Sequence, residues 1–130
     1  MLKVVTRERE GEQKKPTRSF SKKQEDKVAK DVGGKRNLNS GATDFCKSDV
    51  ALASLMNIEC KTKTTPSKSI TIHKEWLLKN VEEAVFMGKE FSTLAFNFGP
   101  GEKNYYILDE NLFLEFLEYL KEKHSDLLNE

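Results

Sequence analysis

At 130 residues the chain has room for one domain with a real core, and none for a catalytic domain plus a separate specificity domain. One third of it is charged, 33%, against 37% hydrophobic, which predicts a modest folded unit with a strongly solvated surface. There is no run of about 18 apolar residues and no apolar signal-peptide core near the start, so a soluble, cytoplasmic protein without a membrane partner is expected. The net charge of +1 conceals a polarity: residues 1–80 carry 18 Lys+Arg against 10 Asp+Glu, whereas residues 81–130 carry 4 against 11. A phosphate-rich partner is therefore expected to meet the first 80 residues. Cys46 and Cys60 are too few for a disulfide framework and lack the CxxC spacing of a zinc site.

Residues 1–22 are basic and without apolar periodicity, so they read as a flexible arm, and residues 23–130 as the folded domain. A helix is predicted from Ser21 to Val32, with Ser21 as N-cap, an apolar side of Val28, Ala29 and Val32, and a stop at Gly33-Gly34. Lys35 to Ser48 mixes loop formers with a short strand. Two strands follow, near Asp49 to Ser54 and Asn57 to Lys63, joined tightly. His73 to Met87 reads as a helix with Trp76, Leu77, Val81, Ala84 and Val85 on one side. "STLAFNFGPG" alternates as a strand and turns at Gly99-Pro100-Gly101, "NYYIL" completes a hairpin, and Asp109 caps a last helix. The stripe of that helix, Leu112, Phe113, Phe116, Leu117 and Leu120, is expected to be core. The order of elements gives an α/β, mixed-sheet α+β architecture flanked by helices.

The row Glu59, Lys61, Lys63 shares one face of its predicted strand, opposite Ile58, Cys60 and Thr62. On an open face such a row is an ordinary solvated ion pair; on a covered face it needs a purpose, and spacing alone does not separate the two. A tight antiparallel hairpin brings Asp49, ten residues upstream, beside Glu59. Two carboxylates meeting there suit Mg2+, which needs only one or two from a protein, with the backbone carbonyl of Cys60 as a further oxygen. Lys61 is then placed to neutralise charge developing on a phosphate. His73 and His124 are isolated, so no Ser-His-Asp or Cys-His set can be assembled and acyl transfer is a poor hypothesis.

Ser48-Asp49 followed by Glu59-Cys60-Lys61 resembles the PD-(D/E)xK nuclease superfamily. "QEDKVAKDVGGK", "NSGATDFCKSDVA" and "IECKTKTTPSKSITIHKEWL" look more closely like phage and archaeal-type Holliday-junction resolvases. The resemblance covers residues 22–100 and departs from the motif's proline, which is Ser48 here. It implies a restriction-endonuclease-like core, Asp49, Glu59, Glu25 and the Cys60 carbonyl as metal ligands, Lys61 as the catalytic lysine, and Ser40 close to the active site. Asp26 would replace Glu25 if the helix register moved by one residue.

The expected activity is Mg2+-dependent hydrolysis of DNA at four-way junctions, with Mn2+ substituting and a homodimer supplying two sites. Lys14, Lys15, Arg18, Lys22, Lys23, Lys35, Arg36 and Lys63 would hold phosphates. The alternatives are another nuclease of the same type, acting on flaps or nicks, and a nucleic-acid-binding protein that does not cut.

Overall fold

The computed structural model describes residues 19–37 and 48–129. Ser40 and the cations Lys14, Lys15 and Arg18, like most of the predicted arm, lie outside them. The first helix, α1, spans residues 19–32, so Ser21 lies within it and residues 19–22 belong to the helix and not to the arm. It ends as its glycines dictate. Gly33 takes φ +75°, the Gly33 amide bonds Lys30 O at 3.3 Å and the Gly34 amide bonds Ala29 O at 2.9 Å, which satisfies two carbonyls of the last turn.

Beyond the glycines the chain enters a five-stranded sheet in the order β1-β2-β3-β4-β5. Strand β1 (Lys35–Arg36) pairs antiparallel with β2 (Val50–Leu52), and β2 with β3 (Met56–Lys61). The β2–β3 turn is tight enough to hold Ala53 at φ 46°. Strand β3 runs parallel to β4 (Phe91–Phe96), and the crossover between them is helix α2 (Lys74–Phe86). A hairpin through Gly101, φ +75°, joins β4 to β5 (Tyr105–Ile107). Helix α3 (Glu110–Lys123) follows, capped by Asp109, which accepts from the Leu112 amide at 2.8 Å, and a short 3-10 turn closes the described chain at Ser125–Leu128. The fold is thus an α+β mixed sheet with helices, as its pattern predicts. No described helix is long and apolar enough to cross a membrane.

Helices α1 and α2 lie on opposite faces of the sheet. On the α1 face Val28 meets Val50, Ile58 and Ala95, all buried, with Cys60 packed against them. The α2 face is polar. Asn57 donates to Asn80 Oδ1 at 3.1 Å, and Asn80 donates to Thr93 O at 2.8 Å, so the donor side of each of these buried amides is satisfied, while Asn57 Oδ1 has no hydrogen-bond partner among the described residues. The α2 stripe is accordingly rotated from its predicted position: Asn80 and Ala84 are buried, while Val81 and Val85 are 46% and 73% exposed. An apolar tally cannot anticipate this, because the partner face is itself an amide network. The prediction for α3 holds in part: Leu112, Leu117 and Leu120 are half-buried while Phe113 and Phe116 are about half exposed, and no residue of the helix is fully buried.

Candidate functional site

The site forms at the end of β3, past the last of its residues that pair with β2 among the described residues. The β2–β3 register pairs Val50 with Ile58, and its next step sets Asp49 beside Glu59. The Asp49 amide still bonds Ile58 O at 3.1 Å. There β2 ends, and the Asp49 side chain takes the place of the missing strand by accepting the Cys60 amide on Oδ2 at 2.8 Å. In an extended chain a residue's N–H and C=O leave on the same side, so the Cys60 carbonyl is directed toward Asp49. The Cys60 thiol packs into the apolar cluster, where burial pushes its pKa far up, and it plays no part as a sulfur ligand or nucleophile.

Glu59 and Lys61 both point to the α2 face. Lys61 Nζ lies 3.5 Å from Glu59 Oε2 and 4.3 Å from the centroid of the Trp76 ring, so its ammonium is held between a carboxylate and an aromatic face. Glu59 Oε1 is buried with no hydrogen-bond partner. Burial, and then the neighbouring Asp49 charge, push the Glu59 carboxyl up to about 8, against the lowering effect of Lys61; Glu83 of α2 pushes in the same direction as Asp49. Asp49 is raised as well, chiefly by burial, with the Cys60 amide opposing. Two carboxyls this close share a proton more readily than they bear two charges.

Glu25, expected as a third metal ligand, stands on α1, across the sheet from the face that carries Glu59, and does not complete a three-carboxylate cluster with Asp49 and Glu59; it meets the charge of Asp49 alone of the pair. Its carboxyl is pushed up to about 7 by burial and by Asp49, while Arg36 pulls it down from 3.9 Å. Asp26, the alternative in the adjacent register, is instead 56% exposed and paired with Arg36 at 3.0 Å. Arg36 is thereby engaged inside the protein. Lys22, Lys23 and Lys35 remain exposed, and Lys63 lies past the end of β3, half-buried.

Sequence reasoning passed over three contributors. Trp76, predicted on the apolar side of its helix, flanks Lys61. Glu83, two helical turns on, adds a carboxylate on the same side of α2, and the spacing 76, 80, 83 is the signal that could have found it. Gln24, 4% exposed, donates to Lys61 O at 2.8 Å and to Asn104 Oδ1 at 3.1 Å. It anchors α1 to the end of β3 and so positions its neighbour Glu25.

Among the described residues no three His, Cys, Asp or Glu side chains gather closely enough to hold a metal by themselves. What the site does offer is a buried carboxyl pair, an oxygen without a donor on Glu59 and a carbonyl directed at Asp49. That donor set is all oxygen and suits a hard divalent cation completed by water and phosphate. Compared with known protein families, curated proteins and solved structures, the chain matches none.

Proposed function

We propose that the chain is a Mg2+-dependent endonuclease of the PD-(D/E)xK type that hydrolyses DNA at branch points, four-way junctions in particular. The observation that carries the reading is the Asp49 carboxylate, held on the Cys60 amide in register with the largely buried Glu59, beside a Lys61 ammonium 3.5 Å from Glu59 and wedged against Trp76. A structural ion pair on a solvent face has no such cost built into it, and strongly perturbed carboxyls cluster where chemistry is done.

In this reading Asp49, Glu59 and the Cys60 carbonyl hold the cation, with Mn2+ able to substitute. When bound, it supplies positive charge to the scissile phosphate and makes water easier to deprotonate. The side chains do the rest. Glu25, poised near neutrality, accepts a proton from the attacking water. Lys61 Nζ faces the phosphate oxygens as charge grows on them, held in place by Trp76 and Glu59. Water oxygen bonds to phosphorus, the bond to the leaving sugar oxygen breaks, and that oxygen takes a proton from solvent water. Exposed Lys22, Lys23 and Lys35, with the cations of residues 1–18, support binding to the phosphate backbone.

The test is a labelled four-way junction, a flap and a linear duplex, each incubated with Mg2+ and wild-type or Asp49→Asn protein. Paired cuts in the junction by wild type alone are expected. Preferred cutting of the flap would refute the junction assignment, and no cutting of any substrate would refute the nuclease.

A further inference from the structure

The end of the sheet that holds the site carries, on its α2 face, more rings than the site uses. The registers of β3 with β4 and of β4 with β5 set Lys61 beside Phe96 and Phe96 beside Tyr105, and directly paired residues share a face. Beyond the Trp76 ring, which lies 4.3 Å from the Lys61 ammonium, stands His73, edge-on at 4.7 Å. On the neighbouring strands Phe96 and Tyr105 stack at 5.7 Å, and Phe98 meets both edge-on, at 5.6 and 5.8 Å. None of these rings belongs to the core: Tyr105 is 47% exposed, His73 is exposed, and Trp76, Phe96 and Phe98 are half-buried.

The chain around the rings is cationic. Between Glu59 and Glu75 it passes through Lys61, Lys63, Lys68 and Lys74 without one carboxylate. Lys61 is engaged by Glu59 and Trp76, so the charge offered to a ligand is that of the other three. The loop carrying Lys68 is tied to the rings, because the Ser67 amide donates to Phe98 O at 2.7 Å. Glu102, in the β4–β5 hairpin, is turned to the opposite face, where it lines a cleft with Gln24 and Lys27 of α1.

We propose that this aromatic strip binds the unpaired nucleotides of single-stranded DNA, with bases stacked on Tyr105 and Phe98 and phosphates running along Lys63 and Lys68. The chemistry selects that occupant. A ring stacks on a base only where the base has left its own stack, so a duplex offers these side chains no face to meet. An apolar protein surface would have to bury the lysines set among the rings and take their charge out of water, whereas a strand sets a phosphate against them. The choice of DNA over RNA rests on the proposed function, since the strip adjoins the carboxyl pair through Lys61; the stacking itself does not require that the chain cuts.

The experiment is fluorescence anisotropy on the full chain with an end-labelled oligothymidylate of about 12 nucleotides, its uridylate counterpart and a duplex of the same length, all in a chelator so that no cutting intervenes. The DNA strand should bind about 10-fold tighter than the duplex, and the uridylate no tighter than the DNA strand. Tyr105→Leu, which keeps an apolar side chain and removes the ring, should weaken strand binding by about 10-fold and leave duplex binding unchanged, and Tyr105→Trp should retain it. Lys63→Gln with Lys68→Gln should lower the slope of log K against log salt by about 1.4, the share of two phosphate contacts on a single strand. A duplex bound as tightly as the strand, strand binding indifferent to Tyr105→Leu, equal loss of both ligands in that variant, an unchanged salt slope, or tighter binding of the uridylate would each overturn the proposal. Every arm is read without metal, so a failure to bind the strand and a failure to cut DNA are separate results.

Discussion

Replacing Glu59 by glutamine removes one of two adjacent buried charges while keeping the side chain's shape. In the wild type the Glu59 carboxyl holds its proton to about pH 8, against an ordinary 4.5. The folded state therefore binds more protons than the unfolded one across that window, and stability is greatest at its acid end and falls as pH rises. Each pH unit of difference is worth about 1.4 kcal/mol, which sets a ceiling near 5 kcal/mol. Glu59 is 22% exposed and shares its proton with Asp49, so about 2–3 kcal/mol is the figure to expect for this residue. Glu59→Gln should match wild type within about 1 kcal/mol at pH 5 and exceed it by about 2–3 kcal/mol at pH 9. Urea unfolding followed by Trp76 fluorescence, in a chelator, measures both. Adding Mg2+ at about 100 times its Kd should then return roughly 2.7 kcal/mol to wild type at pH 9 and much less to the variant. Parallel stability curves for the two proteins, or a wild type that gains on the variant as pH rises, would refute the buried-charge argument.

Trp76→Leu removes the ring beneath the Lys61 ammonium, a contact worth about 0.5–2 kcal/mol. Single-turnover junction cleavage should fall by about 10-fold with binding affinity nearly unchanged, and Trp76→Phe should recover part of the loss. Gly34→Ala should destabilise by about 1–3 kcal/mol in thermal unfolding, because its new Cβ would stand 2.6 Å from Ala51 O, a backbone atom that moves only if β1 leaves β2.

Much of the architecture was legible in the chain because it rests on local rules. Gly33-Gly34 ended α1 where expected, His73 and Met87 turned out to be the caps of α2, and Asp109 capped α3. The pairing of Asp49 with Glu59 was readable too, since a short hairpin leaves little freedom of register. What the sequence could not decide was which surface each helical stripe meets. The α2 stripe was read by counting apolar residues, yet the face opposite it carries Asn57, Glu59 and Lys61, so Asn80, Glu83 and Trp76 turn inward while Val81 and Val85 turn out.

For α3 the pattern was read correctly and its destination only in part. A stripe of Leu and Phe has the same periodicity wherever it lies, and only the tertiary arrangement shows Leu112, Leu117 and Leu120 half-buried and Phe113 and Phe116 exposed. The chemistry of the site divides the same way. Residue identity supplied the carboxylates and the lysine. Burial beside one another, which raises Asp49, Glu59 and Glu25 above their ordinary pKa values, arises only when α1, the end of β3 and α2 converge and exclude water from the groups they bring together.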